Sequence, residues 1–145
     1  PSEEKSAIPQ IAGKDEIPAA GFLFEPGKAM MKAGGYNMLC SRFCLKKLGR
    51  STHYYIGGDD LKESVVTELH GLGKTFRILE CDSLDKRSIK RIAAMYPKAE
   101  VTARNLPMDT DTLRKKLGTV SSDTYHIFGL KSDTAGNLLL VTTRQ

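Results

Sequence analysis

Apolar positions in this chain recur at two spacings, and the switches between them mark out its elements. Gly21 to Glu25 (GFLFE) is a short apolar run that Pro26-Gly27 ends, as a buried strand would. Ala29, Ala33, Tyr36, Cys40 and Phe43 then recur three and four apart, which predicts a helix over 28–47. Gly34-Gly35 falls inside that pattern and implies a break or a close approach by another surface. Residues 52–56 predict a second strand, and 60–70 a short helix at most. From residue 75 the pattern is cleaner. Thr75 to Glu80 alternates as a half-buried strand does. Residues 84–96 carry helical spacing up to Pro97, and 98–104 predict a strand. Asp109 can cap a helix over 110–117, with Gly118 as its C′ residue. Residues 124–131 and 137–143 flank a polar turn holding Gly136-Asn137, a hairpin signal. The expected fold is α/β, or more narrowly α+β. A small β-α-β segment over 21–72 precedes a β-α-β-α-β-β domain over 73–145 with a mixed sheet. Gly71-Leu72-Gly73 is the boundary, and 1–20 is a linker or the tail of an upstream element.

Charge sharpens that division. Residues 1–73 hold 9 Lys+Arg and 9 Asp+Glu, whereas 74–145 hold 13 and 8, so the whole net charge of +5 lies in the second half. That favours a polyanionic partner there, with solubility as the alternative. Cys40, Cys44 and Cys81 form an odd set, which fits a reducing, cytoplasmic compartment better than a disulfide framework. No apolar run approaches the roughly 18 residues of a membrane span, and the first twenty residues lack a leader pattern. No membrane partner is expected.

The helix over 84–96 carries the most pointed signal. Ile89, Ile92, Ala93 and Tyr96 share one face, and Lys86, Arg87, Lys90 and Arg91 lie mostly on the other. A solvated face usually mixes signs, because Glu-to-Lys pairs four apart stabilise a helix. Lys86 and Arg87 also sit in the first turn, where the helix dipole disfavours cations. Phosphate contacts would explain the cluster; a solubilising face is the competing reading. Arg114, Lys115 and Lys116 lie in a last turn, where the dipole favours cations anyway, so helix chemistry comes first and phosphate contact second. Arg104 could bind phosphate and Asn105 read base edges, although an Asn-led turn is at least as natural there. Cys40, Cys44 and His53 fall short of a metal set, and no metal is expected. No nucleophile–base or acid–base pair can be nominated. Neither a GxxxxGK[ST] loop nor a glycine-rich βαβ loop is present, so no cofactor is expected in this chain.

Two blocks resemble known families. Phe24-Glu25-Pro26, Lys32-Ala33-Gly34 and Thr52-His53-Tyr54-Tyr55, within 22–55, resemble the small ferredoxin-like segment downstream of the catalytic domain in certain bacterial S-adenosylmethionine-dependent methyltransferases. Lys74-Thr75-Phe76, Arg104-Asn105-Leu106-Pro107 and Leu113-Arg114-Lys115-Lys116-Leu117, within 74–143, look like the THUMP-like domain that follows it. One departure is Ser121-Ser122-Asp123, where the family usually has a Gly-Gly turn.

The resemblance implies a C-terminal, non-catalytic region of a methyltransferase that would act on RNA. Its partners would be tRNA or rRNA and its own methyltransferase domain, which would hold the S-adenosylmethionine. On this reading Lys86, Arg87, Lys90 and Arg91 contact phosphates, with help from Arg114, Lys115 and Lys116. Arg104 and Asn105 lie nearer the bases, and Lys28 and Lys32 are secondary candidates. The alternative is an interaction module that docks on the catalytic domain or on a second copy. An exposed apolar patch within 22–55 would favour that alternative.

Overall fold

The computed structural model describes residues 10–18, 20–33 and 36–145, and the side chains of these except 31–38. Leu23 and Phe76 face each other across two antiparallel strands, β1 (Ala20–Pro26) and β4 (Gly73–Ser83). That pairing joins the two halves of the sequence into one seven-stranded sheet, of order β2-β3-β1-β4-β7-β6-β5. On one side stand β2 (Lys46–Gly49) and β3 (Thr52–Gly58), both antiparallel to their neighbours. On the other stand β7 (Gly136–Arg144), β6 (His126–Ser132) and β5 (Glu100–Arg104). β5 and β6 run parallel, so the sheet is mixed as expected.

Five helices are described: α1 (Lys28–Ala33), α2 (Tyr36–Phe43), α3 (Glu63–His70), α4 (Lys86–Met95) and α5 (Thr110–Leu117). Of the helix expected over 28–47, residues 28–33 and 36–43 are helical, and its last residues belong instead to β2. Cys44 ends α2 at φ 58, a left-handed conformation that stops a helix. Beyond it the chain is extended. Lys47 pairs with the 10–12 segment through Ala12 N to Lys47 O and Lys47 N to Gln10 O, both 2.8 Å. Residues 10–18, expected to be linker, thus place Ala12 and Ile17 in the core. Gly34-Gly35, expected to mark a break or a close approach, lies outside the described residues.

The sheet curls. Tyr54 of β3 meets Phe128 of β6 edge to face at 5.5 Å, although β1, β4 and β7 stand between those strands. Its concave side therefore packs on itself around Leu23, Tyr54, Ile56, Phe76, Phe128 and Leu140. The other face carries the helices over two further cores. One lies under α4 and α5 around Ile92, Leu113, Ile127 and Leu139. The second lies under the first-half helices around Phe24, Leu39, Tyr55 and Leu69. Hydrogen bonds close the curl across its open edge. Asp133 N donates to Leu48 O at 3.0 Å, and Arg50 N donates to Asp133 Oδ2 at 2.9 Å. Burying a large apolar side chain stabilises by about 1.5–3 kcal/mol. A typical hydrogen bond contributes about 1 kcal/mol net. Burial therefore holds the curl, and the bonds fix its register.

Asp85 and Asp109 cap α4 and α5, accepting from Ser88 N and Thr112 N, each at 2.8 Å. Gly118 takes the left-handed C′ position at φ 69. The backbone N–H groups hold both carboxyls below the ordinary aspartate range. A depressed folded-state value means that their contribution is present above the unfolded value and is lost as pH falls through the folded one. Replacing both with Asn, which still caps but does not ionise, is expected to flatten the loss of thermal midpoint between about pH 5 and pH 2.

Candidate nucleic-acid interface

α4 buries Ser88 and Ile92 and rests Ile89 and Ala93 on the sheet, which turns its cations outward. They do not share one fate. A register shift in β4 between Ile78 and Glu80 sets Glu80 opposite Val141 and Asp82 opposite Leu139, on the face that α4 covers. Arg91 reaches both acids, Glu80 at 2.6 Å and Asp82 more closely still. Burial alone would raise the Glu80 carboxyl, but hydrogen bonds from Arg91 and Tyr96 outweigh it and hold the group low. The charge of Arg91 is thus matched inside the fold. Lys86, Arg87 and Lys90 are exposed and form no ion pair with any described acid.

α5 packs beside α4 and contributes Lys116 to the same surface. Lys86, Lys90 and Lys116 surround a shallow depression of about 380 Å³ floored by Ile89 and Ala93. Sequence spacing does not reveal that the two helices bring these cations together. Arg114 pairs with Asp111 one turn back at 2.7 Å, whereas Lys115 is exposed and forms no ion pair with a described acid.

A second basic site lies at one mouth of the curled sheet. Lys28, Lys74 and Arg104 line a cavity of about 530 Å³, together with Glu25, Tyr54 and Asn105. Tyr54 Oη donates to Glu25 Oε2 at 2.5 Å. Burial first, then the bond to Glu25 and its charge, push the phenol far above the ordinary tyrosine range. Asn105 sits at φ 57, where Asn is tolerated, and its amide donates to Ser51 O and, at 3.1 Å, to Thr52 Oγ1. It ties β5 to the start of β3. Lys28 reaches the mouth; the side chain of Lys32 lies outside the described residues.

Sequence reasoning does not assemble this mouth. It leaves Glu25, Tyr54 and Lys74 out of the candidate residues, although each lies in a stretch that carries the family resemblance. That resemblance is the available signal. Among the described side chains, those of 22–55 leave no large apolar group exposed, and the exposed ones are Leu79, Met95 and Val120.

Comparison with known proteins adds three findings. Residues 22–63 match a family described as a ferredoxin-like domain, and residues 73–144 match one described as THUMP domain-like. The chain matches no curated protein. A crystal structure of a protein from Porphyromonas gingivalis W83, provisionally classed as a methyltransferase, shares the fold with a TM-score of 0.79 at 22% identity, over 99% of this chain and 33% of that one. The chain therefore spans about a third of that protein.

Proposed function

From a chain that joins a ferredoxin-like domain to a THUMP-like one, we propose an RNA-binding region that presents substrate to a methyltransferase domain elsewhere in the protein. One observation carries the reading: Lys86, Lys90 and Lys116 ring a single depression, and no described acid pairs with them. Folding gives no reason for that grouping. Like charges repel, Lys86 opposes the α4 dipole, and each residue would find an acid as Arg91 does if pairing were its role. Three lysines around an open surface suit phosphate groups, which are bound largely without regard to base sequence. THUMP-like domains usually bind RNA, and the methyltransferase likeness of the fold supplies a context.

In this reading S-adenosylmethionine is held outside this chain. Of the four turns leading from a strand into a helix, β1–α1 holds Gly27, whose N–H donates to Leu72 O at 2.8 Å, and β3–α3 follows directly on Gly57-Gly58 at the end of β3. None of the four carries the GxGxxG or GxxxxGK[ST] spacing by which such a turn cradles a nucleotide-like cofactor. The cofactor and the catalytic step are assigned in this proposal to another part of the protein.

The triple variant Lys86→Glu/Lys90→Glu/Lys116→Glu tests the reading against tRNA and rRNA fragments at two salt concentrations. Affinity should fall by roughly tenfold or more for every structured RNA alike. The slope of log K against log salt should flatten by about one unit for each phosphate no longer neutralised, roughly three in all. Unchanged affinity in this variant would remove the assignment. Arg91→Ala serves as the contrast: its charge is already matched, so RNA binding should change far less.

A further inference from the structure

We propose that the cavity at the mouth of the curled sheet is a binding site for a phosphate monoester carried on a nucleoside-sized body. Three cations converge there from separate elements: Lys28 at the start of α1, Lys74 near the start of β4 and Arg104 at the end of β5. None forms an ion pair with a described acid, whereas Arg77, Arg91 and Arg114 all do. Arg104 Nη1 donates to the carbonyl of Ala103 at 3.0 Å. That bond uses one of five N–H donors and leaves the guanidinium the rest of its fork for an anion.

Charge balance selects the ligand class. Glu25 is the one carboxylate lining the cavity among the described residues, and Tyr54 Oη already donates to it. Three positive groups against one negative leave an excess of about two. A phosphate monoester carries about −1.5 to −2 at neutral pH and offers three free oxygens to donors on different sides. A phosphodiester carries one charge and would leave the site undercompensated. In the absence of a ligand the grouping works against stability, because like charges raise each other's energy and none of the three forms an ion pair with a described acid.

Size adds the organic body. A cavity of about 530 Å³ falls within the range of small-molecule sites, roughly 300–1,000 Å³, and exceeds what a phosphate group alone would fill. Tyr54 and Pro26 provide apolar wall, and Ser51 and Asn105 are polar residues of the lining. The site is separate from the lysines of α4 and α5, which lie on the helix-covered face of the sheet. Two sources share this chemistry: a free nucleoside monophosphate and the 5′-phosphorylated end of a single-stranded RNA. Only the second rests on the RNA-binding reading above.

Titration calorimetry on the full chain separates the cases, using adenosine monophosphate, adenosine, and one short oligoribonucleotide with and without its 5′-phosphate. Adenosine monophosphate should bind at least about tenfold more tightly than adenosine, and the double variant Lys74→Gln/Arg104→Gln should lose about tenfold or more of that affinity. Both residues are exposed, so the variant should keep the wild-type thermal midpoint. A gain in oligonucleotide affinity from the 5′-phosphate that disappears in the Lys74→Gln/Arg104→Gln variant assigns the site to an RNA end; equal affinity with and without the 5′-phosphate assigns it to the free nucleotide. The triple lysine variant of α4 and α5 should bind adenosine monophosphate unchanged, so failure of either proposal is seen independently of the other. No binding of any phosphate-bearing probe, equal binding of adenosine, or full affinity in the double variant overturns the proposal.

Discussion

Replacing Phe128 with alanine is expected to lower stability by about 3–5 kcal/mol, the range for deleting a fully buried aromatic side chain. Phe128 is wholly buried in the middle of β6. Its ring meets Tyr54 at 5.5 Å and Phe76 at 4.9 Å, and it stacks on the imidazole of His126 at 4.0 Å. These partners come from three other positions in the sheet, so collapse of one neighbour cannot fill the space left behind. Tyr54 is also fixed from its far end by Glu25. Loss of the ring therefore removes the packing that holds the two ends of the curl together and loosens the wall of the mouth cavity. Urea unfolding followed by tyrosine fluorescence would measure the effect. A loss below about 1 kcal/mol would show that the concave core does not hold the curl.

Gly73→Ala should be the second severe change, for a different reason. A Cβ at residue 73 would stand 2.1 Å from Glu25 O, 2.9 Å from Gly27 N and 2.9 Å from Phe24 Cζ. Two of these atoms are backbone and cannot swing aside. They belong to β1 and the turn after it, where β1 pairs with β4 and the two halves of the sheet meet. Forced overpacking of this kind typically costs about 1–3 kcal/mol, and a backbone clash lies at the upper end. Gly71, two residues earlier, is the control. Its φ is −76, and an added Cβ would meet only Glu68 O at an ordinary 3.5 Å. Gly71→Ala is expected to be neutral or to stabilise by up to about 1 kcal/mol, by restricting the unfolded chain. Similar unfolding midpoints for the two variants would contradict this account of the junction.

The second half is more legible in sequence than the first, and the difference is one of range. α5 announces itself through Asp109 and Gly118, and both do what their chemistry suggests. The order β-α-β-α-β-β follows from local periodicity alone. β2 is illegible because it is a four-residue edge strand carrying two lysines, a composition that protects edges and hides them from periodicity. Its pairing with residues 10–12 joins positions far apart in the chain. The same limit governs the candidate site. Spacing places Lys86, Arg87, Lys90 and Arg91 on one helix. It does not show that the irregularity in β4 delivers two acids to Arg91, nor that Lys116 joins Lys86 and Lys90. The mouth requires three strand or helix ends to meet, which no local pattern encodes.

β7 is the last strand of the sequence, yet it lies between β4 and β6. During vectorial synthesis, therefore, β4 and β6 emerge from the ribosome without the strand that separates them. The second half of the sheet cannot take its final order until residues 136–144 are free of the exit tunnel. β1 and β3 can pair early, but the edge of β1 that will take β4 waits unpaired. Such an arrangement favours late, nearly simultaneous completion over stepwise growth, and it exposes open strand edges to chaperones or to misassociation in the interval.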